Sequence, residues 1–314
     1  MSEILIVVGT YTGGLIGLQG PVNHPKTIFA FSATTNCIKS LNIQGEFLFA
    51  GGYDEMIRIF HLNERKELGA VLENSGSVNS IASCKSHFLT GNDQGKVCIW
   101  RMKDFTMLHS LKGHRSSVNG LSLHPSSRMA LSVGKDNRLY LWNLIKARIS
   151  FRQRYYFPLE EVHWSPCGYF FAIRSYRNVY YFNSETNIKE DYITLTHTSQ
   201  LNTCGFLGKS DLIAAGDNNG EIVIWKINGG SLSFKAHSIR ITKLQYTEIE
   251  TSNGKRGVLI SLTTQGEVSI WNVTPIQDAI ESLTPGQNMK VDNNEDLLIT
   301  SINLNCRCSS LAVK

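Results

Sequence analysis

A histidine, a serine and an aspartate lie close together in the middle of this chain of 314 residues, and these residue types can perform nucleophilic catalysis. In serine hydrolases, a serine hydroxyl is activated by an imidazole that a carboxylate orients. His114, Ser132 and Asp136 could form such a set, but the set recurs in part downstream as His197 and Asp217. An enzyme does not need its catalytic residues in several repeats. The sequence therefore predicts a structural role for these residues and no catalytic residue.

Seven cysteines could bind a metal or form disulfides, but their spacing argues against both. They are scattered and odd in number, which favours free thiols in a reducing compartment. Cys306 and Cys308 would lie on one face of a strand, and neither a second pair nor a nearby histidine completes a metal site. The sequence also lacks a glycine-rich phosphate loop. We therefore predict a protein without a metal, a cofactor or an enzymatic activity.

The elements around these residues repeat along the chain. An aromatic residue closes a short apolar segment in each copy, and successive anchors are 40, 42, 40, 43 and 46 residues apart. The anchors are Phe60, Trp100, Trp142, Phe182, Trp225 and Trp271. In the clearest copy, segments 118–123, 129–133, 139–143 and 147–151 have the patterns of four strands separated by turns. A period of about 40–45 residues with a Gly-His pair and a tryptophan is typical of a WD-repeat propeller blade.

The two ends of the chain are predicted to share one blade. Residues 3–9 and 15–18 have the pattern of second and third strands, and either 298–304 or 309–313 can supply the missing first strand. Such pairing closes the ring without an exposed edge. We therefore predict an all-β, seven-bladed WD-repeat propeller over residues 1–314. A polar insertion at 274–296, with a short helix over 277–283 and a mobile loop after it, precedes the closing strand.

Similarity to WD repeats implies roles for the residues near each anchor. It implies that His114 bridges Asp136 and Trp142, with Ser132 as the hydroxyl partner that satisfies the buried imidazole. Further anchors of the blades would be Trp100, Asp93, His197, Asp217, Trp225, His237 and Trp271. The blade of Trp271 departs from the pattern, because Thr264 and Gln265 stand where the aspartate belongs.

Several stretches resemble one family more closely than WD repeats in general. They are LGAVLENSGSVNS from position 68, HPSSRMALSVGKD from position 124, LWNL from 141, VHWSPCG from 162 and FKAH from 234. These stretches resemble the PAK-interacting WD-repeat proteins. The resemblance implies a nucleolar, non-catalytic assembly factor for the large ribosomal subunit, related to a yeast protein that maintains the killer trait. It also implies an alternative, a signalling adaptor that binds and negatively regulates a p21-activated kinase.

Basic residues cluster beside aromatic ones in the middle of the chain, although the net charge of +5 is modest. Such a pattern suits ribosomal RNA or an acidic partner, because cations bind phosphates and aromatic rings stack on bases. The candidate binding residues are Lys135, Arg138, Lys146, Arg148, Arg152, Arg154, Arg174 and Arg177. The alternative is a solvated blade edge with the aromatic residues 155–157 packed inside.

Three classes of function remain on this basis: an assembly scaffold, a kinase-binding adaptor and a propeller enzyme, of which we disfavour the third. Partners would be assembly factors or ribosomal proteins, the kinase, and ribosomal RNA by direct contact. No apolar run reaches the length of a bilayer, so we expect no membrane partner. We expect a monomeric propeller in the nucleolus and nucleus, with a cytoplasmic fraction as an alternative.

Overall fold

The computed structural model describes residues 3–72, 76–186, 189–251, 254–292 and 294–314, which form seven sheets. Each sheet contains four antiparallel strands, and one carries an additional parallel strand. The first strands of neighbouring sheets contact one another around a closed ring. This arrangement confirms the predicted seven-bladed, all-β propeller. We number the sheets with an aromatic anchor blades 1–6, and the sheet that joins the chain ends blade 7.

Most neighbouring strands of a blade are also consecutive in the chain. Blade 7 contains β1 (Glu3–Thr10), β2 (Gly14–Pro21) and β3 (Lys26–Ser32); blade 1 contains β4 (Ile38–Gln44), β5 (Phe47–Gly52), β6 (Met56–His61) and β7 (Lys66–Leu72). Blade 2 contains β8 (Val78–Ser83), β9 (His87–Asn92), β10 (Lys96–Arg101) and β11 (Met107–Lys112); blade 3 contains β12 (Val118–Leu123), β13 (Met129–Gly134), β14 (Arg138–Asn143) and β15 (Arg148–Arg154). Blade 4 contains β16 (Glu161–Trp164), β17 (Phe170–Ser175), β18 (Asn178–Asn183) and β19 (Tyr192–Thr196). Blade 5 contains β20 (Leu201–Phe206), β21 (Leu212–Asp217), β22 (Glu221–Lys226), β23 (Ser231–Lys235) and the added β27 (Asn288–Val291). Blade 6 contains β24 (Ile241–Thr251), β25 (Gly254–Thr263), β26 (Glu267–Asn272) and β28 (Leu298–Asn303), and β29 (Cys308–Val313) completes blade 7.

The two ends of the ring carry different connections. The loops that connect one blade to the next, and the turns between the second and third strands of each blade, lie at one end, which we call the top end. The turns between first and second strands and between third and fourth strands lie at the opposite, bottom end. Five top turns have a positive φ five residues before the anchor, at Glu55, Gly95, Asn137, Gly220 and Gly266. Glycine and asparagine adopt this conformation at low cost, which explains their recurrence there.

Blade 7 closes the ring by pairing the chain termini. Strand β29 pairs antiparallel with β1, with Ile6 opposite Val313 and Val8 opposite Leu311. Of the two candidates for the closing strand, the segment at 309–313 is therefore the one used. The segment at 298–304 is instead the outermost strand of blade 6, where β28 pairs with β26.

The insertion after Trp271 is more ordered than the sequence predicted. Helix α1 (Thr274–Glu281) begins three residues before the expected 277, with a proline in its first turn, where a missing N–H costs nothing. Ile276 and Ile280 are buried in the core between blades 5 and 6. Part of the expected mobile loop forms β27, which pairs parallel with β23 and covers the outer edge of blade 5.

The hydrophobic core consists of layers between neighbouring blades. Second and third strands are buried on both faces, since each blade packs between two others, and they are nearly continuous apolar runs. Outer strands such as β15 alternate between exposed and partly buried residues. Among the described residues, no helix is long and apolar enough to cross a membrane.

Candidate interaction surfaces

The most complete polar cluster lies inside blade 3. His114 Nδ1 is 2.9 Å from Asp136 Oδ1, and its Nε2 is 2.8 Å from Ser132 Oγ. Trp142 Nε1 donates to the same Ser132 Oγ at 2.8 Å. Because Ser132 Oγ accepts the Trp142 N–H, its own O–H can donate to His114 Nε2, while His114 Nδ1 donates to Asp136. Every polar atom of the imidazole is thus satisfied although the side chain is fully buried.

This cluster has the residue types and the hydrogen-bond sequence of a hydrolase triad, but a substrate cannot reach its serine. Ser132 is completely buried and its oxygen already accepts the Trp142 N–H, so no carbonyl can approach it. Burial opposes ionisation of Asp136, but hydrogen bonds from His114 and from the Arg115 backbone N–H outweigh it and lower the pKa. The carboxylate therefore ties the loop between blades to the top turn of blade 3. The geometry supports a structural role.

Blade 6 contains a variant of the cluster that the sequence pattern did not reveal. Ser261 Oγ lies 2.7 Å from His237 Nε2 and accepts from Trp271 Nε1 at 2.8 Å. Glu267 Oε2 is 3.0 Å from His237 Nδ1 and takes the position of the missing aspartate. Burial lowers the pKa of His237, against the opposing effect of Glu267. The available signal was a hydroxyl ten residues before the tryptophan, a spacing that Ser261 shares with Ser132.

Blades 2 and 5 keep only parts of the cluster. Trp100 donates to Thr90 Oγ1 at 3.0 Å, whereas Asp93 accepts from Ser77 Oγ and does not reach the tryptophan. Asp217 Oδ2 lies 3.3 Å from His197 Nε2 in blade 5, and its other oxygen accepts two N–H groups of the top turn. Ala215 stands where Ser132 and Thr90 stand in their blades, so Trp225 lacks that hydroxyl partner. Asp217 therefore mainly holds its own turn.

Arg174 is not a surface residue, which contradicts its assignment as a binding residue. It is 9% exposed, and its guanidinium bonds to Glu160, to Glu161 at 3.2 Å and to Leu201 O at 2.8 Å. The sequence pattern missed this because the guanidinium points inward from the second strand of blade 4. There it neutralises two carboxylates whose ionised forms would otherwise be costly to bury.

The central channel, of about 540 Å³, is lined by the first strands of the blades and contains one ionic cluster. Glu161, His163 and Cys204 bring their ligand-type atoms within 4.8 Å of one another. Burial opposes ionisation of Glu161, but Lys243, His163 and Arg174 outweigh it and hold its pKa well below the usual value. The Glu161 carboxylate already forms ion pairs with Arg174 and Lys243. The cluster is therefore better suited to holding blades 4, 5 and 6 together than to binding a metal.

The remaining predicted basic residues divide between the two ends of the ring. Lys135, Arg138, Arg154 and Arg177 lie at the top end, where Arg138 is paired in register with Arg154. Lys146 and Arg148 lie at the bottom turn of blade 3, and Arg152 lies between on the outer strand. A strand of about six residues spans about 20 Å, so one compact site cannot contain them all.

The three aromatic residues that follow this run have different environments. Tyr155 is buried, and Phe157 stacks on Tyr180 with ring centroids 3.9 Å apart. Tyr156 is 98% exposed at the top end. In the top turn of blade 4, Arg177 lies over the ring of Tyr176, with 5.4 Å between the guanidinium carbon and the ring centroid.

The structure adds three basic residues to the top end that the sequence pattern did not select. Arg115, Arg240 and Arg307 are exposed in loops between blades. Arg115 and Arg240 closely follow the loop histidines His114 and His237 in the chain. That proximity is the signal by which the sequence could have identified them. With Lys135 and Arg177 they form what we call the basic arc: Arg115, Lys135, Arg177, Arg240 and Arg307.

Comparison with known proteins identifies the family. The model of the WD domain, G-beta repeat, matches residues 105–143, which include the complete cluster of blade 3. Human p21-activated protein kinase-interacting protein 1 is 30% identical over 292 residues, which cover 91% of this chain and 68% of the human protein. This chain belongs to the PAK-interacting protein family. The resemblance inferred from the sequence is thereby confirmed.

Two further relatives show the breadth of the PAK-interacting family. The p21-activated protein kinase-interacting protein 1-like of Xenopus laevis is 28% identical over 281 residues, covering 87% of this chain and 75% of that protein. Protein MAK11 of Saccharomyces cerevisiae is 30% identical over 175 residues, covering 47% of this chain and 42% of that protein. A WD-repeat scaffold for protein interactions is the function that this family and this fold share.

Proposed function

We propose that this propeller is an assembly factor for the large ribosomal subunit, and that it binds ribosomal RNA and associated assembly proteins through its top end in the nucleolus. The observation that carries the proposal is the basic arc. Its five cations are exposed on blades 3, 4, 6 and 7, where loops of different blades converge. Such an arrangement suits the phosphate backbone of an RNA, whose binding releases counterions.

The top end is basic partly because carboxylates in the loops of blades 3–5 bond inward. Asp136 holds His114, Glu160 holds Arg174, and Asp217 holds His197 and its own turn. The exposed Tyr156 adds a ring on which an unpaired base can stack. Glu55 is exposed in the top turn of blade 1, where it would disfavour phosphate and so orient the partner.

The proposal is tested by charge reversal in cells depleted of the natural protein. We would replace Arg115 and Arg240 together with glutamate, and use Lys146→Glu with Arg148→Glu at the bottom end as the matched control. The expected result is selective loss of large-subunit precursor RNA and of salt-sensitive co-sedimentation in the first variant only. Normal precursors in cells that carry the top-end variant would refute the proposal.

The second candidate is an adaptor that binds a p21-activated kinase. It is favoured by the names of relatives, which include a Shk1 kinase-binding protein of Schizosaccharomyces pombe that is 26% identical over 277 residues. This function predicts a stoichiometric complex with the kinase regulatory region, free of RNA, and a protein confined to light sedimentation fractions. Depletion would then leave large-subunit and small-subunit precursors in their normal ratio.

A further inference from the structure

A cleft with aromatic walls and acidic edges lies at the bottom end between blades 4 and 5, away from the basic arc. It has a volume of about 660 Å³, within the range of natural ligand sites. Phe170 and Tyr181 form one wall, with ring centroids 5.2 Å apart and planes inclined by 21°. Tyr192 and Ile193 of the outer strand β19 and Ile227 of blade 5 complete the apolar lining.

Two carboxylates, Asp191 and Asp211, also line this cleft. Among the described residues, no lysine or arginine lines it, and neither carboxylate takes part in a salt bridge. Lys209, which is near Asp211 in the chain, forms its ion pair with Glu281, and the charge of Asp211 adds to the rise in the pKa of Lys209. The cleft is therefore acidic on a protein whose net charge is +5.

Aromatic faces together with carboxylates form the environment that a guanidinium prefers. Its planar cation stacks on a ring face and donates paired hydrogen bonds to a carboxylate. Burial raises the pKa of Tyr181, and the charge of Asp211 adds to this effect, so the ring stays a neutral phenol beside that carboxylate. The space exceeds what one arginine side chain fills, and Ile193 and Ile227 offer an apolar surface beside it.

We propose that this cleft binds an arginine side chain, with an apolar residue next to it, from an exposed segment of a partner protein. Asp211 and Asp191 hold the guanidinium, the Phe170 and Tyr181 wall stacks on it, and Ile193 and Ile227 contact the apolar neighbour. The site is separate from the basic arc. It gives the scaffold a second contact, to a basic protein segment, at the end of the ring opposite the top-end surface.

The test uses two capped peptides that differ only in charge: acetyl-Arg-Leu-amide and acetyl-citrulline-Leu-amide. Methyl NMR of the full chain labelled at isoleucine reports on Ile193 and Ile227. We expect the arginine peptide to shift both methyl signals in a saturable way and the citrulline peptide to leave them unchanged. Unmoved methyl signals with both peptides, or equal affinities for both, would overturn the proposal.

Variants of the carboxylates complete the test. Asp211→Asn and Asp191→Asn should each weaken binding of the arginine peptide about fivefold, the effect of a partly exposed ion pair worth about 1 kcal/mol. Glu250→Gln, an exposed carboxylate on β24 of blade 6, should leave the affinity unchanged. An unaltered methyl spectrum away from the cleft shows that each variant is folded. If Glu250→Gln weakened peptide binding equally, only the overall charge of the protein would matter, which would contradict a specific site in the cleft. The peptide measurements do not depend on RNA binding at the top end.

Discussion

Replacing His114 with alanine tests the polar cluster of blade 3. In the variant, Ser132, which is completely buried, loses the acceptor of its O–H, while Trp142 keeps its hydrogen bond to Ser132 Oγ. Asp136 loses one donor and retains the backbone N–H groups of Arg115 and Arg138. One buried group left unsatisfied costs about 1–3 kcal/mol, and the retained bonds of Asp136 limit its further contribution. We therefore expect His114→Ala to destabilise blade 3 by about 1–3 kcal/mol.

Hydrogen exchange measured by mass spectrometry is the suitable assay, since a ring of blades can open locally before it unfolds globally. A loss of about 1–3 kcal/mol corresponds to exchange of blade 3 amides that is about 5-fold to 150-fold faster. His109→Ala, at an exposed site on the outer strand of blade 2, is the control. Equal protection of blade 3 in His114→Ala and His109→Ala would refute the reasoning.

A double-mutant cycle identifies the bond responsible. Ser132→Ala removes the partner of both His114 and Trp142 and leaves two buried polar atoms unsatisfied, so it should cost at least as much as His114→Ala. The double variant should cost less than the sum of the two, because both remove the same hydrogen bond. Additive costs would mean that the two side chains stabilise blade 3 independently, contrary to the geometry.

Three other predictions follow from single contacts. Gly220→Ala should destabilise the protein by about 1 kcal/mol or more, the cost of strain at a positive-φ site, because a Cβ would lie 2.3 Å from His237 O; an unchanged urea midpoint would contradict this. Burial disfavours the Cys84 thiolate, but hydrogen bonds from His87 and a neighbouring serine lower its pKa to about 6. Alkylation of Cys84 by iodoacetamide should therefore be fast at neutral pH, fall as the pH drops through this pKa and slow in His87→Ala; a pH profile unchanged by His87→Ala would contradict the assignment. Arg174→Gln should destabilise by about 3–5 kcal/mol at neutral pH, as removal of one partner of a buried pair does. In the natural protein the pKa of Glu161 is lowered, so its stabilisation is present above its ordinary pKa and is lost as the pH falls through the folded value. In Arg174→Gln this loss on acidification should be smaller, and an identical acid-unfolding curve would argue against the ion pair.

Much of the fold could be predicted because propellers repeat one local pattern. The spacing of Trp100, Trp142, Trp225 and Trp271 indicated the blades, and the incomplete blade at the start of the chain indicated the closure. The insertion was harder to predict. Its polar composition indicated a mobile loop, whereas β27 is ordered by pairing with the outer edge of blade 5, a contact that no local pattern encodes.

The surfaces were less predictable than the blades, since neighbours in sequence are separated along the blades and distant loops meet at the top end. Lys135 and Lys146 belong to one basic run but lie at opposite ends of blade 3. Arg174 belongs to the same predicted set and is buried against Glu160 and Glu161. In blade 6, Glu267 takes the part of an aspartate from a different position in the turn.

The sequence by itself determined the number of blades, the closure of the ring and the residues available for each polar cluster. It did so because strands, turns and their spacing are local properties that repeat along the chain. Only the tertiary structure decided which charges meet solvent, which carboxylates are neutralised inside and where a cleft such as that of Asp211 opens. Those features depend on the positions of side chains from different blades, and a blade's contacts with its neighbours are set by packing across the ring.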